Sequence, residues 1–332
     1  MATYKGIQGF SIQNLSADPS NLIEGQVWYN STSNVWKVGE LTTAGAWATG
    51  NNMNTARQEL TGAGTQTAGL AIGGDLDPPS TGATEEYDGN SWTSSTSLST
   101  ARNYLAAAGT QTAAVAFGGT PNLTNTEEYN GATWTNNPTG LNTGRNALAG
   151  AGTQTAALAF GGNTGSPSGA TEEYNGSTWT SNPTGLNTAR QRLAGCGTQT
   201  AGLAFGGTIP PGSNVQTATE EYNGSTWTSN PTGLNTARFE LNRSGSGIQT
   251  AALAFGGSSS PTVGAATEEY DGSTWTSSPA SMNTARNNLA GAGSQAAALG
   301  FGGNAGSGVG VTAATEEWLG AGSPTTKTIT VS

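Results

Sequence analysis

Six arginines recur along the 332-residue chain in the setting Asn-Thr-Ala-Arg or a close variant: Arg57, Arg102, Arg145, Arg190, Arg238 and Arg286. A guanidinium stays charged and presents a planar fork of N–H donors, so a ring of them would take a carboxylate or sulfate through paired hydrogen bonds. The matching ligand would be a sialic-acid-like sugar or a sulfated glycan. Each arginine is followed by a Glu-Glu pair whose first member is Glu85, Glu127, Glu172, Glu220, Glu268 or Glu316. On a strand that first glutamate shares a face with the aromatic residue two positions on. It is therefore the expected arginine partner, in a pair that specifies geometry more than it adds stability. Enzymes seldom use one residue six times over. The architectural reading is preferred on that ground, and the anion ring is the alternative.

Other chemistry is thinly represented. The chain has no histidine, which removes imidazole bases and most zinc or copper sites, and its single cysteine precludes a disulfide framework or a thiolate cluster. Cys196 stands where Ala151 stands in a neighbouring repeat and reads as a small packing residue. Asp75 and Asp77 supply oxygen atoms that would suit calcium, although two carboxylates in a proline-containing loop are expected to be solvated. Glycoside hydrolysis needs a carboxylate pair at a working separation, and because the candidates are all in repeated, paired positions it is the last-ranked reading. No catalytic residue, cofactor or metal is expected. Eleven basic against 21 acidic residues, a net charge of −10, argue against nucleic acid as a partner. No run is long and apolar enough for membrane insertion, and the start Met1-Ala2-Thr3-Tyr4-Lys5 has no secretory pattern.

The arginines are spaced 45, 43, 45, 48 and 48 residues apart, which makes an internal repeat the primary fact about the fold. A Gly-Gly pair follows each one, then Thr-Glu-Glu and an aromatic residue, at Tyr87, Tyr129, Tyr174, Tyr222, Tyr270 and Trp318. A tryptophan lies five residues past each tyrosine. Each repeat reads as four short strands. The third repeat runs from Leu148 into Ala-Gly-Ala-Gly, then Ala157-Leu158-Ala159-Phe160, then Thr171 to Tyr174, a hairpin turn at Asn175-Gly176, and Thr178-Trp179-Thr180. Small residues fill the first two strands and bulky ones the last two, as wedges converging on an axis require. With 51 glycines and 13 prolines the composition alone would suit disorder; the repeat overrides it. The sixth repeat lacks its own final tryptophan, whereas Ala46-Trp47-Ala48-Thr49 precedes Arg57 unpaired. Residues 44–50 are thus expected to complete the sixth sheet and remove an open edge. The prediction is an all-β, six-bladed β-propeller over 44–320 with four antiparallel strands per blade, a non-repeat segment 1–43 and a tail 321–332. That tail alternates as a strand should and is expected to pair beside the N-terminal segment.

A double glycine after the second strand, a tyrosine in the third and a tryptophan in the fourth resemble kelch repeats. The fuller wording, Asn-Thr-Ala-Arg, Gly-Thr-Gln-Thr-Ala-Ala-Leu-Ala-Phe-Gly-Gly, Thr-Glu-Glu-Tyr-Asn-Gly-Ser-Thr-Trp-Thr, is similar to kelch-like structural proteins of marine tailed bacteriophages. The segment Gly25 to Thr32 resembles the opening of such virion proteins. The turn Tyr270-Asp271-Gly272-Ser273-Thr274-Trp275 also resembles the Asp-box of sialidase propellers, but its Asp and Gly are adjacent and most repeats have Asn. The resemblance implies a virion location, assembly with other virion proteins or with copies of itself, and contact with a host-surface glycan or protein.

The repeats differ most between Gly-Gly and Thr-Glu-Glu, where connections run from 6 residues (120–125) to 11 (208–218 and 304–314). Strand alternation places these loops on one face with the arginine segments, and insertions on one face of a repeat protein often mark its binding side. Candidate contact residues are Asp75, Asp77, Asn122, Ile209, Pro210, Val215, Val263 and Val309. The non-repeat start carries Tyr4, Phe10, Trp28, Tyr29 and Trp36, an aromatic density that reads as a docking segment without a core of its own. The expected function is a non-enzymatic virion protein of structural or attachment type, with a glycan-binding lectin as the alternative.

Overall fold

The computed structural model describes residues 13–19, 24–41, 44–211, 214–244, 246–306, 308–321 and 324–329. These residues form strands and turns, with no helix among them. They fall into two compact bodies: the described residues within 47–318, and the described residues within 13–46 together with those within 319–329.

The larger body is built from repeated four-stranded antiparallel sheets, an arrangement consistent with a β-propeller. In the third repeat the strands are Ala149–Thr153, Ala156–Phe160, Thr171–Tyr174 and Trp179–Asn182, paired in sequence order. The sixth repeat orders Ala290–Gly293, Ala297–Phe301, Thr315–Leu319 and then Ala46–Gly50, so its fourth strand comes from the beginning of the chain. Each first strand packs beside that of the next repeat, and the first strand of the sixth packs beside that of the first.

The hydrophobic core is divided into six clusters, each shared by two successive repeats. Between the second and third, Val115 and Phe117 meet Leu148, Ala157, Ala159, Tyr174 and Trp179. Between the sixth and first, Leu299 and Phe301 meet Leu60, Ala71, Tyr87 and Trp92. Every fourth-strand tryptophan also reaches back one repeat: the Trp179 indole N–H donates to Thr126 Oγ1 at 2.9 Å, Trp92 to Thr315 at 2.9 Å and Trp47 to Thr267 at 2.9 Å. A buried indole must find an acceptor, and this one fixes the register between sheets as well.

Close approach of neighbouring first strands sets residue size. A Cβ on Gly150 would lie 2.8 Å from both Ala107 O and Phe117 Cζ, and one on Gly62 2.7 Å from Gly291 O. In four repeats the phenylalanine ending the second strand presses on a glycine of the following repeat: Phe117 on Gly150, Phe160 on Gly195, Phe255 on Gly291 and Phe301 on Gly62. Where that residue is the shorter Ile72, the next repeat has Ala107 in place of glycine, and the two share one buried cluster.

The smaller body contains a four-stranded sheet ordered Gln13–Leu15, Val27–Asn30, Val35–Leu41 and Pro324–Ile329; the first pair is parallel. The C-terminal strand thus pairs with the N-terminal segment as expected, with Lys327 opposite Val38. The expectation of a start without a core of its own is corrected for Trp28. Trp28 is fully buried and donates to Asp18 Oδ1 at 3.2 Å, while Asp18 also takes Lys37 Nζ at 2.6 Å and Asn30 Nδ2 at 2.8 Å. These donors hold the Asp18 carboxyl below its usual range.

Gly195→Ala should destabilise the chain by about 1–3 kcal/mol through overpacking against Phe160. Combined with Phe160→Ile, the pairing used at Ile72 and Ala107, it should cost less than the two single changes summed. Chemical denaturation of the four proteins checks this; strict additivity would contradict the size-matching argument.

Candidate functional site

All six repeat arginines are buried, and each pairs with the first glutamate of its own repeat. Arg102 meets Glu127 at 3.1 Å, Arg145 meets Glu172 at 3.1 Å, Arg238 meets Glu268 at 2.7 Å and Arg286 meets Glu316 at 2.9 Å; Arg57 pairs with Glu85 and Arg190 with Glu220. The Asn-Thr-Ala-Arg segment wraps this carboxylate. Glu172 accepts from Asn142 N at 2.7 Å, while Asn142 Nδ2 donates to Trp179 O at 3.0 Å and Arg145 Nη1 to Ala170 O at 2.7 Å. The connection between sheets is thereby tied to the second, third and fourth strands. Burial pulls every one of these guanidinium pKa values down, to about 10 for Arg102, against the opposing attraction of its glutamate. With side chains at most 2% exposed, these arginines do not form an anion-binding ring, and that alternative is withdrawn.

The second glutamate of each pair has a separate role that the sequence did not announce. The tyrosine hydroxyl of the following repeat donates to it: Tyr129 to Glu86, Tyr174 to Glu128, Tyr222 to Glu173, Tyr270 to Glu221, and Tyr87 to Glu317 across from the first repeat to the sixth. Burial first, then this bond, raises each phenol; Tyr129 moves to about 12. Trp318 replaces the sixth tyrosine and donates instead to Gln295 O at 2.8 Å, so Glu269 has no tyrosine, and burial pushes its carboxyl up. A hairpin glutamine adds another link, with Gln154 Nε2 donating to Ala114 O at 3.0 Å and Tyr129 O at 2.6 Å, and Gln66 likewise to Ala298 O and Trp318 O.

The asymmetric chemistry lies elsewhere, at the position two residues after each arginine: Glu59, Tyr104, Ala147, Arg192, Glu240 and Asn288. All six adopt positive φ, between 50° and 57°, a conformation uncommon for residues other than glycine. Their backbones form a cycle of six hydrogen bonds, Tyr104 N to Glu59 O, Ala147 to Tyr104, Arg192 to Ala147, Glu240 to Arg192, Asn288 to Glu240 and Glu59 to Asn288, at 2.8–3.0 Å. Because the main chain carries this cycle, the side chains are free to differ. Arg192 pairs with Glu240 at 2.8 Å, and its guanidinium carbon lies 5.5 Å from the Tyr104 ring centroid and 6.0 Å from that of Phe239. Asn103 Nδ2 donates to Glu59 Oε2 at 2.8 Å, and Asn287 Nδ2 to Glu240 Oε2 at 3.1 Å. Burial raises the Glu59 carboxyl and the Tyr104 phenol.

Compared with models of known protein families and with curated proteins, the chain matches none.

The loop residues divide between structure and surface. Asp75 is engaged within the fold, accepting from Asp77 N at 2.7 Å, Ser80 Oγ at 3.3 Å and Asn103 Nδ2 at 3.2 Å, while Asp77 is exposed. Among the described residues no cluster of acids or Cys suits a metal. Asn122 accepts from Asn146 Nδ2 at 2.8 Å. Ile209, Val215 and Val263 are half-buried, Pro210 is exposed and Val309 is 69% exposed. Of the proposed docking aromatics, Trp28 is unavailable because it is buried; Tyr29 and Trp36 are half-buried with ring centroids 5.4 Å apart, and Tyr4 and Phe10 lie outside the described residues. Cys196 is buried, which pushes its thiol up to about 12 and leaves it without nucleophilic character.

Arg145→Met, which strands Glu172 without its cation, should cost about 3–5 kcal/mol, and adding Glu172→Leu should recover part of that loss. Urea unfolding of both variants measures it. An unfolded tyrosine ionises near pH 10, whereas native Tyr129 holds its proton to about 12. Its contribution to stability is complete below pH 10 and is lost as pH rises to 12. In an alkaline titration, the tyrosinate absorbance that Tyr129→Phe removes should appear together with unfolding; its appearance while the chain is still folded would contradict this.

Proposed function

We propose that the chain is a non-enzymatic structural protein, a closed six-bladed kelch-like propeller that serves in assembly and attachment on a phage particle. One observation carries the non-enzymatic part: the repeated acids, arginines and tyrosines are consumed in contacts within and between sheets. The first and sixth repeats meet through the same tryptophan, glutamine, tyrosine and backbone bonds as other neighbours, which supports closure. The virion location rests on the sequence resemblance and extends to partners among other virion proteins or further copies of the chain. The face that carries the variable loops and the axial residues is its contact surface, and a host-surface glycan or protein is the partner in the attachment role. The mixed set Glu59, Tyr104, Arg192, Phe239 and Glu240 suits a lectin-like reading of the same face, since it offers aromatic surface beside donors and acceptors.

Mass spectrometry of purified particles should find the chain among the structural proteins; its absence would overturn the virion assignment. A glycan array separates the two attachment partners, with binding that weakens on Arg192→Ala favouring the sugar.

A further inference from the structure

The boundaries between repeats are not alike at their outer strands. At five of them a tyrosine reaches the second glutamate of the preceding repeat. A second bond at each of these five ends on a carbonyl in the turn between third and fourth strands. Thr96 donates to Ala132 O at 2.7 Å, Thr139 to Ser177 O, Thr184 to Ser225 O and Thr232 to Ser273 O; between the sixth and first repeats Asn51 Nδ2 donates to Asn90 O at 2.7 Å. Between the fifth and sixth repeats neither bond is present among the described residues. Trp318 stands at the tyrosine position and donates to Gln295 O, and Ala280 stands where the preceding repeat has Thr232. The turn itself is missing, because the third and fourth strands of the sixth sheet come from opposite ends of the chain.

The inner bonds of this boundary are intact. Trp47 donates to Thr267 Oγ1 at 2.9 Å, Gln295 Nε2 to Tyr270 O at 2.7 Å and Asn288 N to Glu240 O at 2.9 Å. The fourth strand, Ala46–Gly50, is therefore held unevenly. At one end Asn51 bonds to Asn90 O, and a Cβ on Gly50 would lie 3.2 Å from Thr315 Cγ2 and 3.3 Å from the Tyr87 hydroxyl. At the other end Ala46 is exposed, and no turn joins it to Leu319; the chain passes into the smaller body at both points. The asparagine that opens each arginine segment bonds the fourth-strand tryptophan carbonyl elsewhere, as Asn142 does with Trp179 O at 3.0 Å and Asn235 with Trp275 O at 2.9 Å. Its counterpart Asn283 reaches only Thr49 Oγ1, at 3.5 Å.

We propose that Ala46–Gly50 is a releasable strap, which peels from the sixth sheet starting at Ala46 while the axial backbone cycle stays closed. An antiparallel strand is held by its ladder, by its hairpin and by its side-chain neighbours. This strand keeps the ladder and the indole bond but lacks the hairpin and both outer bonds, and local opening begins at the element with the fewest ties.

Hydrogen exchange on the whole chain, under conditions where opening and closing are at equilibrium, tests the strap. The paired amides of Ala46–Gly50 should exchange at least about tenfold faster than those of Trp179–Asn182 and Trp227–Asn230, while Asn288 stays protected. Tyr174→Phe removes the corresponding outer bond between the second and third repeats and should speed exchange in Trp179–Asn182 severalfold. Should that variant fail to fold, Thr139→Ala removes the bond to Ser177 O and should act in the same direction. Protection of Ala46–Gly50 equal to that of the other fourth strands would overturn the proposal, as would unchanged exchange of Trp179–Asn182 in the folded variant. Asn288 exchanging as fast as Ala46–Gly50 would also overturn it, because the whole boundary would then be opening.

Discussion

Neighbouring first strands approach until an added methyl group would meet a carbonyl oxygen at 2.7 Å, and the rest of the repeat body follows from that crowding. Strands packed this closely carry glycine and alanine, which bury little apolar surface. Cohesion has to come from farther out, where the sheets diverge and leucine, phenylalanine, tyrosine and tryptophan fill six separate clusters. The result is a core distributed over interfaces, so that no repeat has a hydrophobic interior independent of its neighbours.

Polar groups perform the fastening that apolar area cannot. The buried Arg–Glu pair works within a repeat, linking the incoming connection to the sheet, while the Tyr–Glu, Trp–Thr and glutamine bonds work between repeats. Two adjacent glutamates on one strand point to opposite faces and so serve both tasks. An ion pair removed from water contributes less to stability than its Coulomb attraction suggests, but either partner left alone is severely penalised. The arrangement therefore favours one connection geometry strongly over its alternatives.

Much of this was legible in the residues. The period, the four strands, the contribution of residues 46–50 to the sixth sheet and the choice of Glu172 over Glu173 for Arg145 follow from spacing and alternation. The accessible arginine ring did not survive, because a recurrent charged residue gives no sign of depth until neighbouring sheets cover it. Trp28 reads as a docking residue because it lies in an aromatic-rich start outside the repeat; the sheet that buries it is completed by Pro324–Ile329, from the opposite end of the chain, beside Val35–Leu41. The axial residues escaped notice for the opposite reason: a search for recurrence passes over the position where repeats disagree. The interval from Leu241 to Gln249, two residues longer than that from Leu148 to Gln154, is likewise visible in the spacing.

Amide hydrogen exchange at the six axial positions tests the account most directly. Glu59, Tyr104, Ala147, Arg192, Glu240 and Asn288 each donate one bond to the preceding repeat, with Glu59 spanning the two ends of the repeat array. Comparable strong protection at all six, Glu59 included, is the predicted result. Rapid exchange at Glu59 with protection at the other five would mean that the first and sixth repeats do not meet, and would contradict the account.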